Sequence, residues 1–150
     1  MLHTISEHDY LAGDPSSRII HDDHAHRFAE LQLPEAPRPL LLAWPSELVD
    51  PVVVDDPVTG DTWVGVDERL VCVSRTGAPR FSIGLPSPLL DIAHSDDGTV
   101  ALCEVQVIAV NNDYSIRAML DLPDVATSVM VEDGKLVVGL LDGGEHVIPY

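Results

Sequence analysis

RFSIGLPSPLLDIAHSDDGTVALC, running from Arg80 to Cys103, is the stretch that decides the fold. Apolar and polar residues alternate on either side of a Leu85-Pro86 break, and Asp97-Gly98 divides the second half. Alternation with a period of two marks a strand buried on one face, and Gly, Pro and Asp mark where such strands stop. The stretch therefore reads as three strands, RFSIGL, LLDIAH and TVALC. The run LVCVS just upstream adds a fourth, after a turn at Arg75 to Gly77. Asp-Gly is a hairpin signal, because a type I′ turn needs positive φ at both central residues.

The pattern returns in IRAMLDLPDVATSVMVEDGKLVVGL, from Ile116 to Leu140. Leu85-Pro86 falls on Leu122-Pro123 at an offset of 37, and Val71 and Val73 fall on Ile108 and Val110 at the same offset. Asp97-Gly98 falls on Asp133-Gly134 at an offset of 36. A third copy is suggested by RFAELQLPE, from Arg27, which overlays IRAMLDLPD at an offset of 89 and pairs Leu33-Pro34 with Leu122-Pro123. The expected organisation is one domain over residues 1–150: a lead-in at 1–16, repeat units at about 17–66, 67–103 and 104–140, and a terminal hairpin strand at 141–150, with its turn at Asp142 to Gly144. Only Ile5 to Leu11 and Ser46 to Val49 carry any helical character.

Four-stranded meander units of 36 to 37 residues resemble the blades of β-propellers. The Trp-Asp signature of WD40 blades is absent, since Trp44 precedes Pro45 and Trp63 precedes Val64. Propellers close with about four or more blades. The expectation is therefore an all-β chain of antiparallel meanders: an incomplete propeller-like arrangement, an open twisted sheet or a sandwich. Open architectures leave strand edges to be capped or paired.

Twenty-five acids against eight Lys plus Arg give a formal charge of −17. Such a balance argues against nucleic acid, whose phosphates need cations, and against anionic membrane surfaces. It favours a basic protein partner. Cys72 and Cys103 sit in apolar runs and read as buried free thiols, suited to a reducing compartment. The first residues, MLHTISEHDYLAGD, lack the basic flank and apolar core of a signal peptide, and no apolar window reaches membrane-spanning length. A cytoplasmic protein is expected.

Catalytic equipment is not visible. HDDHAH, from His21 to His26, has metal-ligand residue types, but the repeats place it at the turn that SRTGAPRF and NNDYSIR occupy in the other units. No Gly-x-Ser-x-Gly elbow or phosphate-binding glycine loop occurs, neither cysteine has cationic neighbours, and His94 has only a local Ser-Asp run beside it. The expectation is a protein that is not an enzyme and uses neither cofactor nor metal.

Acidic pairs recur instead. Asp55-Asp56, Asp96-Asp97 and Glu132-Asp133 fall at the turn leading into each unit's fourth strand, with Asp142 in the final hairpin; Asp22-Asp23 and Asp113 fall at the other turn. Stacked units would collect these carboxylates on one rim, so Asp22, Asp23, Asp55, Asp56, Asp96, Asp97, Glu132 and Asp133 are the candidate partner-binding residues. Tyr114, Phe28 and Tyr150 are candidate aromatic anchors. A small, acidic, motif-free chain is similar in character to the immunity proteins of bacterial contact-dependent growth inhibition and polymorphic-toxin systems. That resemblance implies neutralisation of a cognate basic toxin domain, a nuclease foremost. The alternative is a scaffolding module that self-associates through an exposed edge strand.

Overall fold

The computed structural model describes residues 1–149. β1 (Leu2–Ile5), β2 (Arg18–Ile20), β3 (Arg27–Leu31) and β4 (Leu40–Trp44) form a first sheet in the order β1-β3-β4-β2. β5 (Val52–Asp55), β6 (Thr62–Val66), β7 (Arg69–Val73) and β8 (Pro79–Gly84) form a second sheet in chain order. β9 (Leu89–Ser95), β10 (Gly98–Cys103), β11 (Gln106–Asn111) and β12 (Ile116–Asp121) form a third. β13 (Ala126–Glu132), β14 (Lys135–Leu140) and β15 (Glu145–Pro149) form a fourth. Pairing is antiparallel except between β2 and β4. The chain is thus all-β, with meandering sheets that do not close into a barrel.

The sheets stack face to face in chain order, because their central strands are apolar on both faces. Period-two alternation along each such strand sends successive side chains into different cores. On β7, Val71 and Val73 face the first sheet, whereas Leu70 and Cys72 face the third. On β10, Ala101 and Cys103 face the second sheet, whereas Val100 and Leu102 face the fourth. An offset of 37 moves a residue one core along the stack: Val71 and Val73 lie between the first and second sheets, and Ile108 and Val110 between the second and third. Burying one such side chain contributes about 1.5–3 kcal/mol, so these three cores dominate stability.

The two ends of the stack differ. Helix α1 (Glu7–Ala12) covers the outer face of the first sheet, with Tyr10 packed on Leu41 and Ala43. Ser6 caps it by accepting from the Asp9 amide at 3.0 Å. Among the described residues nothing covers the outer face of the fourth sheet, where Met130 and Val147 are exposed.

Several expectations change. The strands of each repeat unit form, yet a unit is not a sheet, since the Leu85-Pro86 and Leu122-Pro123 steps carry the chain from one sheet to the next. Pro86 and Pro88 offer no N–H to a ladder. Leu85 and Leu89 instead donate to Glu68 O and Asp67 O, each at 2.7 Å. Leu33-Pro34 is not equivalent, for it joins β3 to its own partner β4. The lead-in is part of the first sheet, because Leu2–Ile5 pairs with Phe28–Leu31. Ile5–Leu11 yields α1, displaced by two residues at its start. Ser46–Val49 forms no helix, and Val49 O accepts instead from the Arg27 guanidinium and the Trp44 indole, both at 3.0 Å.

Asp133 and Gly134 have the expected positive φ, 48° and 72°. Asp97-Gly98 does not: Asp96-Asp97 makes the turn, and Gly98 opens β10 opposite Ser95. Gly98 is required for another reason. A Cβ there would lie 2.1 Å from Val110 O, beside the register shift between Ala109 and Val110. Gly98→Ala is expected to lower stability by about 2 kcal/mol. Gly84→Ala, whose Cβ would meet nothing within 4 Å, should stay within about 0.5 kcal/mol of the parent in the same denaturant titration.

Candidate functional site

Alternate turns fall at opposite ends of the strands. At the hairpin end lie the β5–β6, β7–β8, β9–β10, β11–β12 and β13–β14 turns. At the junction end lie the sheet crossings together with the β6–β7, β10–β11 and β14–β15 turns. Six of the eight candidate acids are at the hairpin end, where Asp55, Asp96, Asp97, Glu132 and Asp133 are exposed. Asp56 is not available to a partner. It is 3% exposed, and its Oδ1 accepts the amides of Val58 at 2.8 Å and Thr59 at 3.3 Å, organising its own turn. Asp113 joins this end, and half of the chain's bases sit there too: Arg75, Arg80, Arg117 and Lys135, the last paired in register with Glu132.

Asp22 and Asp23 are at the junction end, on the connection from β2 to β3. That connection is not a hairpin, since both strands pair with β4. Its side chains diverge. Asp22 Oδ1 accepts from the His24 amide at 2.8 Å, and His21 bonds Tyr10 Oη at 2.7 Å and Asp23 at 3.1 Å. Among the described residues no three His, Cys, Asp or Glu side chains gather so as to hold a metal ion.

The junction end is where acids most outnumber bases. Glu47 and Asp50 come from the first crossing, Asp67 and Glu68 from the β6–β7 turn, and Glu104 and Asp121 flank the β10–β11 turn. Asp124 and Asp142 follow on the last crossing and the last turn. Two arginines answer them there: Arg27, which binds Asp50 at 2.6 Å and lies 4.9 Å over the Trp44 ring, and Arg69. The other two, Arg18 over Tyr10 and Arg38 beside Asp14, are committed around the first sheet. Apart from Asp142, these acids lie outside the acidic turns that stand out in the sequence. The available signal was Asp67 recurring as Glu104 at the repeat offset of 37.

At the hairpin end a buried polar group lies between the second and third sheets. Asp61, 4% exposed, accepts from the Tyr114 hydroxyl and lies 3.9 Å from Cys72 Sγ. Tyr114 is partly buried and packs against the core between the second and third sheets. Phe28 packs on Tyr10 at 5.2 Å, and Tyr150 lies outside the described residues. Burial pushes the Cys72 thiol up to about 12, aided by the charges of Asp61 and Asp56, and Cys103 up to about 11. Burial also pushes Tyr114 up to about 12, reinforced by its bond to Asp61. Protonated thiols of this kind are poor nucleophiles. His94 is pushed down by burial, against the opposing pull of Asp56 and Asp55, and its Nδ1 bonds Thr99 Oγ1 at 2.9 Å. No helix is long and apolar enough to cross a membrane among the described residues.

The two thiols and the Tyr114 hydroxyl titrate higher in the folded chain than in the unfolded one. Their contribution to stability is intact below pH 9, the ordinary thiol value, and is lost as pH rises toward about 12. Urea midpoints should fall between about pH 7 and about pH 10.5, and a Cys72→Ala, Cys103→Ala variant should lose less over that interval. An equal loss in both proteins would contradict this assignment. No protein-family model matches the chain, and no curated protein matches it.

Proposed function

We propose that the protein is a non-catalytic binding protein whose junction end docks a cationic protein domain, and that it acts as an immunity protein against a basic toxin, a nuclease foremost. The observation that carries this reading is the separation of charge at the junction end. Carboxylates from five crossings and turns share it with Arg27, already occupied by Asp50, and Arg69. Solvated surfaces ordinarily intersperse both signs, and a one-signed field speeds capture of an opposite partner. A nuclease that grips phosphate presents such a cationic cleft. The exposed pairs Asp96-Asp97 and Glu132-Asp133 at the other end extend the field but stand among Arg75, Arg80 and Lys135.

The test is calorimetric titration with cationic nuclease toxin domains at low and high salt. One domain should bind with unit stoichiometry and lose its nuclease activity. Its affinity should drop more than about tenfold between roughly 0.01 M and 1 M salt, as the screening length shrinks from about 30 to about 3 Å. Asp67→Asn, Glu68→Gln, Glu104→Gln and Asp124→Asn together should cost more than the equivalent change at Asp96, Asp97, Glu132 and Asp133. Salt-insensitive binding, or a larger loss from the hairpin-end set, counts against it.

One observation favours the scaffolding alternative: β15 lies at an edge of a three-stranded sheet where the second and third sheets have four strands. Chromatography in high salt, which screens repulsion between copies each carrying −17, should then give a dimer that Val147→Lys abolishes.

A further inference from the structure

A cavity of about 750 Å³ opens at the junction end between the first and second sheets. Its lining mixes apolar residues, Ile20, Trp44 and Leu85 among them, with the acidic Asp22, Asp67 and Glu68 and the basic Arg69. We infer that this cavity is the subsite for an arginine side chain of the basic partner; the inference rests on the docking function proposed above. The apolar residues suit a trimethylene stem, and the carboxylates suit its charged head. Guanidinium fits better than ammonium, because the acids come from two separate loops. A planar fork of five donors can address both, and it sheds water at less cost. Three carboxylates against one guanidinium repel an anion. The volume falls within the range of about 300–1,000 Å³ common for ligand sites, which leaves room for residues flanking the arginine.

The site is preorganised. Asp67 sits at φ 51°, its Oδ2 accepts the Ser46 amide at 3.1 Å, and its carbonyl accepts from Leu89 at 2.7 Å. The Glu68 carbonyl is likewise fixed by Leu85 at 2.7 Å. A rigid mouth loses little entropy on binding. Gly84 borders the cavity, and a Cβ there would meet open space. A larger side chain at this position can fill the cavity while every carboxylate stays in place.

The two tryptophans make the test direct, because Trp44 lines the cavity and Trp63 lies in the core between the second and third sheets. The probes are a capped tripeptide with one central arginine and its citrulline counterpart, followed through the two indole N–H resonances. The arginine peptide should shift Trp44 saturably and leave Trp63 in place, while the citrulline peptide shifts neither. Gly84→Phe should abolish the effect. Asp67→Asn, which keeps the amide acceptor and tolerates positive φ, should weaken it about tenfold. Equal shifts with both peptides, or a response retained in Gly84→Phe, overturn the inference. If the peptide fails while a basic domain still binds in a salt-sensitive way, the subsite falls and the docking function stands. If the peptide behaves as expected and no basic domain binds, the docking function falls and the subsite stands.

Discussion

The second, third and fourth sheets are held in register by a clasp of three backbone hydrogen bonds at each of the two crossings between them, and much of the architecture follows from it. Between the second and third sheets, Leu85, Leu89 and Glu104 donate to Glu68, Asp67 and Pro88. Between the third and fourth, Leu122, Ala126 and Leu141 donate to Val105, Glu104 and Val125. Every donor and every acceptor in the second set lies 37 residues beyond its counterpart in the first. A prolyl residue cannot extend a ladder, so the chain leaves the sheet at Leu-Pro. The amides on either side would be stranded at a buried edge unless something accepted from them. The turn of the preceding hairpin does so, which fixes the distance and angle between the sheets.

The clasp also determines where charge goes. A turn whose carbonyls point inward to accept from the next crossing must send its side chains outward. Polar residues with a taste for turns are the natural occupants, and in this chain they are acids. Asp67, Glu68 and Glu104 therefore reach the surface at one end because their own carbonyls hold the sheets together. The hairpin end has no such duty. Its acids are divided between exposed positions and groups such as Asp56 and Asp61 that are consumed in satisfying buried neighbours. Structural bonding and an acidic face are two consequences of the same turns.

How much of this could be read in advance depends on the range of the interaction. Strands were legible from alternation, and the repeat from the Leu-Pro steps, because both are local. The grouping of strands into sheets was not, since a break in the chain's pattern looks alike whether the next strand pairs with the last one or leaves for another sheet. Leu33-Pro34 and Leu85-Pro86 differ only in that outcome. Gly98 was assigned to a turn because Asp-Gly is a strong local signal, whereas the Val110 carbonyl that demands it lies on another strand. The acids on the candidate surface failed for a similar reason. Pairs such as Asp96-Asp97 stand out in sequence, but single acids at Glu104, Asp124 and Asp142 come together only through the crossings. The first sheet, with its parallel β2–β4 pair, departs from the repeat and was the least legible part.

Within the first sheet the molecule already contains the kind of contact that the junction end offers a partner. Arg27 lies over the Trp44 ring, bonds the Val49 carbonyl and pairs with Asp50, so one guanidinium uses an aromatic face, a backbone acceptor and a carboxylate together. Each component is modest, since exposed ion pairs are worth about 0–1 kcal/mol and cation–π contacts about 0.5–1. Their combination on one planar group nonetheless holds the crossing from β4 to β5 against its sheet. Trp44 thus serves two neighbours, the internal arginine and the cavity that it helps to line. With Arg27 committed to Asp50, the carboxylates of Asp22, Asp67 and Glu68 are left with Arg69 as the guanidinium beside the cavity. The charge balance of the crossing is met from within the chain, and that of the cavity mouth is not.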